Sequence, residues 1–168
     1  FITKATAQLM RDFGSTPAPM NSWLLGMGME TLPLRMDKHC TNALQVAQFL
    51  KNHPQVAWVR YAGLEGDKYY ELGKKYLPKG CCGVVSFGLK GGRKGAEAFM
   101  AKLNLCSIAT HVADAKTCIL HPASATHRQM NDAELIAAGV GPDLVRLSVG
   151  IEDPADLIAD LNQALENA

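Results

Sequence analysis

The stretch HPASATHRQM, residues 121–130, places His121, Ser124, Thr126 and His127 within seven positions. These residue types suit metal ligation, a hydroxyl nucleophile with an imidazole base, or a loop whose hydroxyls bond local backbone. A zinc site wants two histidines one helical turn apart, or an HxH set with a carboxylate. His121 and His127 are six positions apart with Pro122 between them, so no metal site is expected. A nucleophilic serine wants a strained G-x-S-x-G turn, and Ser124 has Ala123 and Ala125 on either side. By themselves the residues favour a rigid loop with hydroxyl-to-backbone bonds.

A second candidate lies in LVRLSVGIED, where Val145, Leu147 and Val149 alternate with Arg146 and Ser148. On a strand this period sends Arg146 and Ser148 to the face opposite the apolar set. An arginine there calls for an anion, and its planar fork matches a carboxylate bidentately. The residues alone favour the plainer alternative, a solvent-facing arginine or a structural ion pair with Glu152 or Asp153. Lys4 follows Thr3 as some Schiff-base lysines do, but ATAQLM after it holds neither glycine nor histidine, so a solvated helix lysine is expected. Tyr69 fits the core side of a short helix and Tyr70 its rim. Cys106 and Cys118 fall in strand patterns and read as small core residues.

These side chains must be positioned by an alternation of helices and short strands. Residues 1–13 read as helix, broken by GSTPAPMN. From Ser22 to Asn52 a helical period runs through Leu32, Met36, Cys40, Ala43, Ala47 and Leu50, and Pro33 should kink or divide it. Strands are expected at 56–61, 83–89, 105–110, 117–120 and 145–149. Short helices are expected around Tyr69–Tyr76 and along Ala96, Phe99 and Leu103. Asp153, Pro154 and Asp156 supply the N-cap, N1 proline and first-turn acid of a last helix ending near Asn167. This order predicts an α/β chain built as an α+β sandwich: an open, mostly antiparallel sheet with helices on one face, led in by a long helix. No GxGxxG follows a strand, which argues against a dinucleotide fold.

The bulk composition narrows the function classes. Seventeen basic and sixteen acidic residues leave a net charge of +1, which argues against nucleic acid or a membrane surface as partner. Five cysteines without a CxxC pair suggest reduced thiols and a cytosolic setting. No apolar run approaches membrane-spanning length. The start on Phe1 suggests a fragment or processed product.

The phrases METLPLRMDKHCTNALQVAQFL, HPQVAWVRYAGL, GVVSFGLKGG, HPASATHRQM and VRLSVGIEDPADLIADLNQAL together resemble one family over essentially the whole chain. It is the Cys/Met-metabolism pyridoxal-phosphate enzymes, and the resemblance is strongest to its O-acetylhomoserine sulfhydrylase branch. The resemblance implies fold type I, with 1–30 ending the large cofactor domain and starting the linking helix, and 31–168 forming the small C-terminal domain. It implies that Arg146 holds the substrate α-carboxylate and that Thr126 borders the same pocket. His111 stands where relatives place Ser or Asn, and Ala113 where they usually place Gly, so His111 would narrow or retune that pocket. Ala113 would resist a turn that glycine permits.

The resemblance also implies pyridoxal 5′-phosphate (PLP) as cofactor, with its Schiff-base lysine and other binding residues upstream of this chain. No catalytic, cofactor-binding or metal-binding residue is then expected here, and the isolated chain should be inactive. The whole enzyme would be a transferase making homocysteine or methionine from O-acetylhomoserine and sulfide or a thiol by γ-replacement. Methionine γ-lyase, cystathionine γ-synthase or cystathionine γ-lyase activity, or a non-catalytic packing or oligomerisation module, are the alternatives. The expected partners are the amino-acid substrate, the rest of the polypeptide or a companion chain, and sister subunits of a cytoplasmic homotetramer built from dimers.

Overall fold

The computed structural model describes residues 1–168 and divides them into two compact units, Phe1–Leu34 and Arg35–Ala168. The first unit is helical and buries none of its side chains. α1 (Ile2–Lys4) and α2 (Arg11–Phe13) flank a π-helical stretch, Ala5–Met10, which the periodicity does not reveal. There the Thr6 hydroxyl donates to the Ile2 carbonyl at 2.8 Å, a back-bond of the kind that bends helices. Gly14 ends the run at φ +66°, a left-handed conformation open to glycine at little cost.

α3 (Pro19–Glu30) and α4 (Leu32–Asn52) divide at Thr31. Pro33 has no N–H to donate toward Met29, and its ring would crowd that carbonyl, so one continuous helix is not available. α4 buries His39, Asn42, Ala43, Val46, Ala47 and Leu50. Of the periodic residues, Leu32 lies exposed in the first turn and Met36 is half-buried, so the packed face starts at His39.

The sheet of the second unit contains β1 (Val56–Arg60), β2 (Val84–Leu89), β3 (Ser107–Ile108), β4 (Cys118–Leu120) and β5 (Leu144–Ser148), in the order β1-β2-β5-β4-β3. All pairs are antiparallel except the short β3–β4 pair. One face carries Val85, Phe87, Leu89, Ile119, Val145 and Leu147 into a single core. The same core takes in apolar side chains of α4, α6 (Gly92–Met100) and α8 (Pro154–Glu166), so these helices cover that face. Phe87 and Phe99 meet edge to face with centroids 5.9 Å apart, joining β2 to α6. The open, mostly antiparallel sheet with one helical face is the expected architecture.

α5 (Tyr70–Tyr76) forms, but its tyrosines do not pack as the period suggests. Tyr69 lies just outside the helix and is exposed, as are Leu72 and Tyr76, while Gly73 is the buried position. A seven-residue helix with two lysines in its last turn has little apolar surface to bury, so the tyrosine rings lie under lysine ammonium groups instead. α7 (Asp132–Ala137) was not anticipated, although N-D-A-E spells its capping box. The Asn131 side chain accepts from Glu134 N at 3.0 Å and Glu134 accepts from Asn131 N at 2.8 Å.

Candidate functional site

Arg146 sits in β5 between Ser86 of β2 and Leu120 of β4, with Val145 and Leu147 turned into the core on the other face. Its side chain therefore rises from the face that α4, α6 and α8 leave uncovered. One terminal nitrogen donates to the Thr110 carbonyl at 2.8 Å. Its Nε is buried and has no acceptor. The residue as a whole is half-buried and forms no ion pair, so a carboxylate meeting its remaining terminal N–H groups would balance the charge.

The structural ion pair does not form, because both proposed partners are engaged elsewhere. Glu152 accepts from the Thr117 amide at 2.5 Å and from its hydroxyl at 2.9 Å. Asp153 caps α8, accepting from Ala155 N at 2.8 Å. An open groove of about 450 Å³ lined by Trp58, Arg60, Ser86, Gly139 and Leu144 adjoins Arg146, taking in its register partner Ser86 and Leu144 of its own strand.

The segment from 109 to 117 that carries the Thr110 carbonyl is tied to the end of β5 at three places. Ala113 N donates to Ser148 Oγ at 3.0 Å, and Ile151 N donates to the Ala115 carbonyl at 2.9 Å. Thr117 binds Glu152 as above and accepts from Gly150 N at 2.8 Å. Ala113 adopts φ +60°, so it takes the left-handed turn that its side chain was expected to resist. The strain, about 1–2 kcal/mol for an L-residue, is opposed by the Ser148 bond. His111 is exposed and immediately follows Thr110, which brings it to the neighbourhood of Arg146.

The HPASATH loop leaves β4 directly after Leu120, the register partner of Arg146. Pro122–Ser124 forms a 3₁₀ turn packed against β5. His121 is buried, with Nδ1 2.9 Å from Ser124 Oγ and Nε2 2.9 Å from the Pro142 carbonyl. A carbonyl can only accept, so the bond to Pro142 requires Nε2–H, while the Ser124 hydroxyl also lies 3.4 Å from the His121 carbonyl. The pair resembles a nucleophile and base but lacks an orienting carboxylate. The amides of Ala125 and His127 are both spent on the Pro122 carbonyl and cannot stabilise an oxyanion. Thr126 is exposed, its hydroxyl 2.9 Å from His127 Nδ1. The structure thus places Arg146 and His111 around Thr110, with Thr126 on the loop that follows the strand beside them.

Two residues that the sequence shows only as letters of the family motif complete the site's support. His39 is buried with Nδ1 2.7 Å from the Val149 carbonyl. Asn42 Nδ2 donates to the carbonyls of Gly150 and Glu152 at 3.1 and 2.7 Å. A polar pair within the buried stripe of an amphipathic helix was the available signal, since buried polar groups must find partners. Asp160 gives the same signal in α8, where it accepts from the amides of Asn104, Leu105 and Cys106. Cys106 and Cys118 are core residues, and burial pushes both thiols up.

The family model for Cys/Met metabolism PLP-dependent enzymes matches residues 2–166. The chain belongs to this family. An O-acetyl-L-homoserine sulfhydrylase of Leptospira meyeri is 48% identical over 99% of the chain, and a homocysteine synthase of Schizosaccharomyces pombe is 47% identical over 96% of it. An L-methionine gamma-lyase of Treponema denticola is 44% identical over 91% of the chain. In each case the chain spans 38% of the relative's length. A Campylobacter jejuni crystal structure, described as an O-acetylhomoserine (thiol)-lyase with N′-pyridoxyl-lysine-5′-monophosphate, matches 97% of the chain and 39% of its own at a TM-score of 0.88 and 41% identity. The family depends on PLP. The side chains flanking Arg146 in the sheet, Ser86 and Leu120, include no amine that could hold that cofactor covalently, and Lys4 is exposed in the other compact unit.

Proposed function

We propose that this chain is the C-terminal portion of a PLP-dependent O-acetylhomoserine sulfhydrylase and contributes the substrate-carboxylate site. The observation that carries the reading is Arg146, a half-buried guanidinium without an ion pair whose alternative partners Glu152 and Asp153 are occupied. Thr126 is assigned to the wall of the same pocket, and His111 to its rim, where a titratable ring replaces the small polar residue of relatives. The cofactor is assigned to polypeptide outside this chain, and when bound it supplies the electron sink for the reaction. Arg146 fixes one end of the amino acid and so aligns the reacting bonds at the other. The net change is departure of acetate from Cγ and addition of sulfide or a thiol there, giving homocysteine or methionine.

The domain reading assigns 1–30 to the end of the large domain and 31–168 to the small domain, supported by the division of compact units after Leu34. Phe1, Phe13, Trp23, Leu25 and Met29 are exposed, and such a run of large apolar side chains calls for further polypeptide to cover it. That polypeptide is assigned to the rest of the enzyme, a homotetramer built from dimers. The enzyme is placed in the cytoplasm, where buried thiols such as Cys106 and Cys118 stay reduced. No helix is long and apolar enough to cross a membrane.

The methionine γ-lyase relative keeps elimination as the second reading. Product analysis of the intact enzyme with O-acetylhomoserine, with and without sulfide, separates the two. Replacement predicts homocysteine that depends on sulfide. Ammonia and 2-oxobutanoate formed at the same rate without sulfide would overturn it in favour of elimination.

A further inference from the structure

The phrase H-C-T-N-A in α4 is not explained by the carboxylate site itself, yet both its buried polar side chains point at one turn. His39 binds the Val149 carbonyl, and Asn42 holds the carbonyls of Gly150 and Glu152. These are residues 149–152, the turn that begins as β5 ends, three residues beyond Arg146. The turn in turn grips the segment that Arg146 leans on. Glu152 takes both the amide and the hydroxyl of Thr117, and that hydroxyl accepts from Gly150 N. One hydroxyl therefore donates once and accepts once, which uses its donor fully. Thr117 is 1% exposed, so water does not replace these bonds.

The packing leaves no slack. A Cβ on Gly150 would lie 2.6 Å from Thr117 N and closer still to the Ala115 carbonyl and the Glu152 carboxylate. The path from helix to arginine is thus continuous. α4 fixes the turn, the turn fixes Ala115 and Thr117, and Ser148 fixes Ala113 in its left-handed conformation. The Thr110 carbonyl at the far end of that segment receives the Arg146 guanidinium. A guanidinium has several rotatable bonds, and holding it in one orientation requires a fixed acceptor.

We infer that Thr117 and Glu152, braced by His39 and Asn42, are positioning residues that aim Arg146 at the substrate carboxylate. The inference rests on the reading of Arg146 as the carboxylate anchor. None of the four touches the substrate; they act through the 110–117 segment and the Thr110 carbonyl.

The test uses the full-length holoenzyme carrying Thr117→Val, Thr117→Ser and Glu152→Gln, each alone and each with Arg146→Met. Thr117→Val keeps the shape and loses both hydroxyl bonds, and Thr117→Ser restores them. The expected result is a KM for O-acetylhomoserine raised about ten- to hundredfold by Thr117→Val, with kcat changing much less. Thr117→Ser should return KM to within about twofold of the parent. In the Arg146→Met background, Thr117→Val should add less than about twofold, since residues acting through one group are not additive. If Thr117→Val does not fold, Glu152→Gln carries the same expectations. An unchanged KM in either folded variant, with Arg146→Met raising it, would overturn the positioning role alone. A full multiplicative effect on top of Arg146→Met would also overturn it, marking Thr117 and Glu152 as general stabilisers. An unchanged KM in Arg146→Met itself would overturn the carboxylate reading and the inference with it.

Discussion

Asp160 offers a quantitative test of how the segment entering β3 is held. Its carboxylate is 6% exposed and accepts from Asn104 N at 2.9 Å, Leu105 N at 2.9 Å and Cys106 N at 3.0 Å, with Gln163 Nε2 at 3.1 Å. Oδ1 serves Asn104 and Gln163, while Oδ2 serves Leu105 and Cys106. In Asp160→Asn the amide oxygen keeps one of these pairs, and the NH₂ group faces the other pair of N–H donors. Two charge-assisted bonds become neutral and at least one backbone N–H loses its acceptor. With charged hydrogen bonds worth about 1.5–3 kcal/mol and neutral ones about 0.5–1.5, weakening two bonds by about 1 kcal/mol each and losing at least one more should cost about 3.5–5 kcal/mol.

The pH dependence gives an independent check on that number. Burial pushes the Asp160 carboxyl up, but the three backbone amides and Gln163 more than offset this, so its folded pKa lies below the ordinary 3.8. A carboxyl with a depressed folded pKa stabilises the fold above its unfolded pKa, and the stabilisation is lost as pH falls through the folded value. Urea unfolding of parent and Asp160→Asn should therefore differ by the full amount at pH 7, with the gap closing only below about pH 4. A difference under about 0.5 kcal/mol at pH 7, or a gap unchanged down to pH 2, would refute the reasoning.

Three further outcomes follow from the same geometry. Ala113→Gly should stabilise by about 0.5–1 kcal/mol, the relief of left-handed strain less the added freedom of the unfolded chain, as read by urea unfolding. Gly150→Ala should cost about 2–3 kcal/mol, because the new methyl meets backbone and carboxylate atoms that are themselves hydrogen-bonded; it should also loosen amide-exchange protection at Thr117. Asn131→Ala removes half of the α7 capping box and should cost about 1 kcal/mol, with faster hydrogen exchange confined to 132–138.

The elements that periodicity marks clearly are the ones the structure contains. Strands β2 and β5 fall where alternation places Val85, Phe87, Val145 and Leu147 on one face, and α8 starts at its Asp-Pro signal. Pro33 divides the long helical pattern as its missing N–H requires. Short elements with mixed surfaces were not legible in the same way. α5 leaves Tyr76 and the preceding Tyr69 exposed because seven residues cannot bury them, and the π-helical Ala5–Met10 follows no apolar period. Arg146 was visible as a charge on the polar side of a strand, but its alternation could not say that Glu152 belongs to Thr117. That pairing crosses between β4 and the end of β5, 35 residues apart in sequence, and only the sheet register brings it together. His39 and Asn42 were legible only as letters of a motif, since their carbonyl partners lie 108–110 residues away.

The central claim is that Arg146 receives a substrate carboxylate, and the most direct measurement compares two ligands in the intact enzyme. One is a non-reactive amino acid of the substrate's shape, and the other is the matching amine without its carboxyl group. The account predicts that Arg146→Met weakens the amino acid by about 2–4 kcal/mol, the loss of a charge-assisted bidentate contact, and leaves the amine within about twofold of its parent affinity. Equal weakening of both ligands, or of neither, would contradict it.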